Sequence, residues 1–211
     1  LKAGDNLSES GKKSINIPIG QTKIINKIKS LTIIIRSYTF GDSNPKLVML
    51  DQRKKRVFDA PKIEYTLRTI NSVIKSCLYA KTYFKDLNIK IIVTDDRSNN
   101  ESLSRIKKLL EKTNLKSEII NIKENEYNEK IEIKDTYGNK ISNNMISNMR
   151  NIYKSIEISE NDNSDLFYFL EDDYIHIKEA IAEMLFSYEK ISSQLEKDIF
   201  LCPADYPYLY S

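Results

Sequence analysis

Five carboxylates fall in two runs, Asp95-Asp96 and Glu171-Asp172-Asp173, and each run follows an apolar stretch, Ile89-Lys-Ile-Ile-Val93 in one case and Leu166-Phe-Tyr-Phe-Leu170 in the other. If both stretches are strands of one parallel sheet, both runs project from the same edge, beyond the carboxyl ends of the strands, where open α/β sheets bind ligands. Charges gathered there require a compensating cation or hydrogen-bond donors. A divalent metal, Mn²⁺ or Mg²⁺, meets that need, because hard cations take carboxylate oxygens and complete their shell with substrate phosphates. The ligand implied is a nucleoside diphosphate, and carboxylates near a ribose can also accept hydrogen bonds from its hydroxyls. One run would then hold the nucleoside and the other the metal. An acid at a strand-to-helix junction can instead serve as a helix cap or a partner for the helix dipole. That suffices for Asp95-Asp96 taken alone. For three acids in a row, one cap would satisfy the helix and the other two charges would only repel, which favours a ligand role.

The elements that must position these acids are readable from periodicity. Leu31-Thr-Ile-Ile-Ile-Arg36 is a β-branched run suited to a buried parallel strand. From Pro61, apolar Ile63, Leu67, Ile70, Ile74 and Leu78 recur every three or four residues and predict an amphipathic helix with the proline in its first turn. Ile89 to Val93 is a second strand, followed by a helix carrying Leu103, Ile106, Leu109 and Leu110 inward, with Ser98 and Glu101 at capping-box spacing. A third strand is expected over Glu118 to Ile122, then a hairpin with Ile131 and Ile133 on one arm and Gly138-Asn139 in the turn. Met145, Met149, Ile152 and Ile156 mark a third helix. Leu166 to Leu170 is a fourth strand, Ile177, Ile181, Met184 or Leu185 and Tyr188 a fourth helix, and Ile199 to Cys202 one more strand. Residues 1–30 read as a polar lead-in in which Ile24, Ile25 and Ile28 could form a short helix, and residues 31–211 as one domain. Strands alternating with amphipathic helices predict an α/β sandwich, Rossmann-type, with a mostly parallel sheet flanked by helices. No internal repeat interrupts it.

Composition narrows the classes. The 211 residues carry 33 Lys and Arg against 30 Asp and Glu, a net charge of +3 that does not describe a nucleic-acid binder. No stretch approaches the roughly 18 to 20 apolar residues needed to span a bilayer, so no membrane span is expected in this chain. Cys77 and Cys202 are too few for a disulfide framework and lack zinc-site spacing; both are expected as core thiols in a reducing, cytoplasmic compartment. The start at Leu1 and the stop at Ser211 suggest a piece of a longer enzyme.

In their order along the chain, Thr32-Ile-Ile-Ile-Arg-Ser-Tyr38, Val93-Thr-Asp-Asp-Arg-Ser98, Asn148-Met-Arg-Asn151 and Phe169-Leu-Glu-Asp-Asp173 resemble the family-2 glycosyltransferases, over most of residues 31–190. The resemblance implies a GT-A fold and transfer of a sugar from a nucleoside-diphosphate sugar to an acceptor hydroxyl of a glycan, lipid or protein, metal-dependent and with inversion. It further implies that Arg36, Ser37 and Tyr38 at the first strand's end, Asp95, Asp96 and Ser98 after the second, and Arg150 contact the nucleotide. Glu171 or Asp172 would hold the ribose, and Asp173 of this DXD-like triplet the metal. The triplet begins with Glu where the family more often has Asp, and the connection from Ser37 to Ala60, with its basic Arg53-Lys-Lys-Arg56, is longer than usual. No acceptor base stands out. Asp205 could face the acceptor, although beside Pro203 and Pro207 a turn role competes.

His176, the one histidine, is a candidate further metal ligand or pH-sensitive contact, and Tyr38, Tyr174, Tyr206, Tyr208 and Tyr210 are candidate stacking faces among mostly structural tyrosines. Three other classes compete. A phosphoacceptor signalling domain would place its acidic pair after the first strand, which here ends Arg36-Ser37-Tyr38. A nucleotidyltransferase would use similar metal-bound carboxylates but release pyrophosphate, and a catalytically silent module would bind nucleotide without turnover.

Overall fold

The computed structural model describes residues 23–39, 60–134 and 136–203. The chain forms two compact units, residues 28–185 and residues 1–27 with 186–211, of which 23–27 and 186–203 are described. In the smaller unit the backbone N–H groups of Ile25 and Asn26 both donate to Ser193 Oγ at 3.0 Å, and Tyr188 Oη donates to Asp198 Oδ1. The larger unit carries the sheet and both acidic runs.

Its elements are β1 (Ser30–Ser37), α1 (Lys62–Tyr83), β2 (Asn88–Asp95), α2 (Asn100–Leu110), β3 (Lys116–Asn121), α3 (Asn143–Asn161), β4 (Leu166–Glu171) and the start of α4 (Ala180–Leu195). The four strands are all parallel, in the order β3-β2-β1-β4. The sheet is therefore the parallel α/β type expected from the alternation of strands and helices. Central β1 and β2 are buried along almost their whole length, whereas the outer β3 and β4 are largely half-buried or exposed, as the unbroken Ile and Val runs of the inner pair require.

One face of the sheet carries the main core: Ile33, Ile35, Ile91, Val93 and Leu170 pack with Ile70, Val73 and Cys77 of α1, Ile106 of α2 and Ile181 and Leu185 of α4. Alternate residues Thr32, Ile34, Ile92 and Thr94 are buried on the other face, which is left to α3. At the amino ends, Asp165 Oδ2 accepts the backbone N–H groups of Lys29 and Ser30, and its own N–H donates to Ser30 Oγ, tying β4 to β1.

Several local expectations change. Pro61 is the N-cap of α1 and not a residue of its first turn. Leu78 lies on the outer face of α1, because Cys77 and Ala80 take the inward positions. The cap of α2 is Asn99, whose side chain accepts the N–H of Ser102, so Ser98 is freed for another task. The hairpin shrinks to one antiparallel bridge, Lys134 with Lys140, closed through Gly138 at φ +82°, a left-handed turn position suited to glycine. No helix forms over residues 23–29, and residues 199–203 make no strand; Cys202 is exposed where a core thiol was expected. Burial pushes the Cys77 thiol up to about 12, which leaves it protonated and inert.

The largest departure is α3. Its apolar stripe faces outward, with Met145, Met149 and Ile156 at 42%, 36% and 45% exposure, while Ser147, Arg150, Asn151 and Ser155 are buried. Short polar side chains let this helix lie close against β1 and β2, and the reason for burying polarity there lies at the strand ends.

Candidate functional site

Parallel register brings the predicted residues to one edge. Ser37 pairs with Asp95, Arg36 pairs with both Thr94 and Glu171, and Asp95 pairs with Asn121. The winding reverses between β1 and β4, since β2 and β3 lie on one side of β1 and β4 returns on the other. At such a switch point adjacent connections leave in opposite directions and open a crevice beyond the carboxyl ends. Both acidic runs stand there.

Asp95 is almost fully buried. Its Oδ2 accepts the Ser98 N–H at 2.9 Å, and its Oδ1 has no hydrogen-bond partner among the described residues. Burial is the main cause that raises its pKa above the ordinary aspartate value; bonds from Ser98 oppose the shift, and the negative charges of Asp96 and Asp172 add to it. Asp96 is fully buried and receives Arg97 in a two-pronged ion pair, Nε to Oδ1 at 2.9 Å and Nη2 to Oδ2 at 3.0 Å, with Arg150 Nη1 3.7 Å from Oδ1. Arg97 reaches back over its own neighbour because its backbone sits at φ +67°, a left-handed conformation that costs a non-glycine residue of order 1–3 kcal/mol. Its guanidinium lies 5.7 Å from the centre of the Tyr38 ring.

The triplet divides its charges. Glu171 pairs with Arg36 at 2.8 Å, and Arg36 also donates to Asn148 of α3. Asp172 is buried, 2.6 Å from Lys62 Nζ, and accepts the Thr66 hydroxyl at 2.8 Å. Asp173 is about half exposed, and Lys62 Nζ lies 3.9 Å away. No group of three or more acid, histidine or cysteine side chains among the described residues is arranged to hold a metal by itself. Glu171 and Asp173 are about equally exposed, and of the two Asp173 is the one without a close cation.

From α3, Asn151 Nδ2 donates to the Ser37 carbonyl at 3.3 Å, and Arg150 also bonds Asn128. Eleven buried side-chain polar atoms among the described residues lack a partner, and eight of them lie at this edge: on Arg36, Ser37, Thr39, Thr94 and Asp95 of the strand ends, and on Ser147, Arg150 and Asn151 of α3. Native interiors satisfy the great majority of such atoms. Their concentration at one place sets this edge apart from the rest of the described interior.

The predicted Arg36, Ser37, Asp95, Asp96, Ser98, Arg150, Glu171, Asp172 and Asp173 all lie on this carboxyl edge or on the helix face against it, with Tyr38 beside Arg97. Ser98 contributes a backbone N–H to Asp95, and its hydroxyl accepts the Thr39 N–H. Asp205, Arg53 to Arg56, Tyr206, Tyr208 and Tyr210 lie outside the described residues. His176 is engaged elsewhere: its Nε2 is 2.8 Å from Tyr168 Oη, and its N–H donates to Ser72 Oγ. Tyr174 packs against the main core. Lys62 and Thr66 were not singled out by sequence reasoning, and Arg97 and Asn151 stood within the motifs Val93–Ser98 and Asn148–Asn151 without a role of their own. Lys62 carried one usable signal, its place in the first turn of the helix that follows β1, which a parallel sheet puts on the ligand side.

Burial lowers the His176 pKa below its ordinary 6.5, with a bond to the Tyr174 backbone opposing. The folded state therefore prefers the neutral ring, and stability present above pH 6.5 is lost as pH falls through the lowered folded value. Urea midpoints are expected to fall between pH 7.5 and pH 5, and to fall less steeply in His176→Gln. An equal decline in the two proteins would remove His176 from the cause.

No protein-family model, no curated protein and no solved structure matches the chain. A functional reading therefore rests on the chemistry of this edge.

Proposed function

We propose that the chain is the donor-binding part of a glycosyltransferase that moves a sugar from a nucleoside-diphosphate sugar to an acceptor hydroxyl. The observation that carries this reading is Asp95: a buried carboxylate with one oxygen unpartnered, at the carboxyl edge of the sheet where the winding reverses, next to a second carboxylate run. An acid perturbed by burial and left imperfectly satisfied in such a place is a candidate functional group.

Asp95 Oδ1 is an unused acceptor, available to a base or ribose donor that displaces what covers it. Arg97 and Arg150 keep Asp96 neutralised, so that a ligand's negative charge does not meet an unscreened carboxylate pair. Glu171, held by Arg36, and Asp172, held by Lys62 and Thr66, stand where ribose hydroxyls would be received. Asp173 would be the carboxylate that holds a divalent ion, Mn²⁺ or Mg²⁺, and the ion would supply positive charge against the departing diphosphate. Transfer then requires an acceptor hydroxyl, deprotonated by a base, to attack the anomeric carbon as the nucleoside diphosphate leaves. Inversion follows from a single displacement of that kind.

Calorimetry with UDP and GDP, with and without Mn²⁺, tests the reading on the wild type and on Asp173→Ala. Binding is expected to strengthen at least about tenfold with Mn²⁺, a difference of about 1.4 kcal/mol, and that gain is expected to vanish in the variant. Folded protein that binds neither nucleotide under any metal condition would sink it. Metal-strengthened binding without turnover of any sugar nucleotide would make the chain a nucleotide-binding module, and pyrophosphate release from nucleoside triphosphates would make it a nucleotidyltransferase.

A further inference from the structure

Lys62 is the one described cation placed between two acids of the triplet. Its Nζ lies 2.6 Å from Asp172 Oδ1 and 3.9 Å from Asp173 Oδ2, and its side chain is about one quarter exposed. Asp172 is buried and takes its other bond from the Thr66 hydroxyl. Thr66 stands one turn after Lys62 on α1, so the same helix face supplies both donors and orients the carboxylate from two sides. Asp173, by contrast, has its nearest cation at the outer limit of an ion pair and stays half exposed. The ammonium therefore sits beside the exposed carboxylate of the triplet that has no close cation, since Glu171, equally exposed, is held by Arg36 at 2.8 Å.

A positive charge in that position acts with opposite sign on the two components that a metal-dependent donor site must bind. It repels a divalent cation approaching Asp173, and it attracts a diphosphate approaching the same carboxylates, which would otherwise repel it. We propose that Lys62 is the resident counter-cation of the site: it positions Asp172, disfavours a divalent ion in the absence of ligand, and favours the diphosphate group before any metal arrives. This rests on the donor-site reading and specifies the order in which its parts assemble, diphosphate first and metal after it.

Two probes measured separately test it, Mn²⁺ alone followed by electron paramagnetic resonance and inorganic pyrophosphate alone, in EDTA, followed by calorimetry. In Lys62→Gln, whose amide can still bond Asp172, Mn²⁺ is expected to bind about tenfold tighter and pyrophosphate about tenfold weaker than in the wild type, the changes in opposite directions that removal of one nearby charge produces. Lys62→Arg, which keeps the charge, should stay near the wild type for both. A purely structural role would weaken both ligands together, and that result, or no change in either, overturns the proposal. So does a Lys62→Arg protein that behaves like Lys62→Gln. If Lys62→Gln does not fold, the wild type alone decides: metal-free pyrophosphate binding that weakens as salt is raised is required, and its absence overturns the assignment. Opposite-signed changes in a protein that binds neither UDP nor GDP would leave the role of Lys62 standing and remove the nucleotide reading instead.

Discussion

Asp95→Asn is expected to make the protein more stable and less able to bind nucleotide. In the folded state Asp95 is buried, one of its oxygens has no partner, and its pKa is raised chiefly by burial. A raised carboxyl pKa means that the folded chain holds this proton more tightly than the unfolded chain, so stability falls as pH rises from about 3.8 through the folded value. At pH 7 the charged, partly unsatisfied group is a standing cost. Asparagine keeps an oxygen for the Ser98 N–H and removes the charge, although its Nδ2 inherits the unpartnered position, so the gain is the difference between burying a charged and a neutral group there, about 1–2 kcal/mol. For a chain of this length that corresponds to a rise in Tm of roughly 3–6 °C. The gain should shrink as pH is lowered through the raised folded value, where wild-type Asp95 takes up its proton. In the same variant UDP or GDP binding should weaken about a hundredfold, near the upper range for a hydrogen bond to a charged group. Thermal melts at pH 7 and pH 4, paired with calorimetry, check both halves. Loss of stability together with loss of binding would mean that Asp95 holds the fold and not a ligand.

The second large effect has the other sign. Asp96→Ala removes the acceptor that both Arg97 and Arg150 face, and Arg150 is itself buried with one nitrogen already unpartnered. Breaking a buried pair by deleting one member strands the other charge, at a cost of about 3–5 kcal/mol. Urea unfolding should show that loss, and Asp96→Asn, which can still accept from Arg97, should show less. The double variant Asp96→Ala with Arg150→Met should recover part of it, because the stranded charge goes with its partner. An Asp96→Ala protein within about 0.5 kcal/mol of wild type, the range of an ordinary surface change, would mean that this network does not hold the strand end. The adjacent acids are thus predicted to behave oppositely: Asp95 limits stability in favour of a ligand, and Asp96 secures the backbone that presents it.

The two residues look alike in the chain, which shows how far linear reading reaches. Acids after an apolar strand point to the carboxyl edge of a parallel sheet, and the register of β1 with β2 and β4 bears that out for Ser37, Asp95, Arg36 and Glu171. Which acid keeps an oxygen without a partner depends on where Arg97, Arg150 and Lys62 reach, and these come from a left-handed turn, from α3 and from α1. Sequence distance carries no signal for such meetings. The same limit inverted α3. Its Met145, Met149, Ile152 and Ile156 have helical spacing, so the helix was legible, but burial followed the polar needs of the strand ends and turned Ser147, Arg150 and Asn151 inward.

What the chain determines by itself is the alternation of strands and helices, because backbone periodicity and β-branched runs act within a few residues. It also determines the two acidic runs and their place after strands β2 and β4. Tertiary structure decided the strand order and its reversal at β1, the outward turn of the α3 stripe, and the division of labour among the acids, with Asp96 and Asp172 neutralised, Asp95 left with a buried, unpartnered oxygen and Asp173 left exposed. These depend on side chains far apart in sequence competing for the same few buried donors, a contest settled by position in space and by the cost of burying charge.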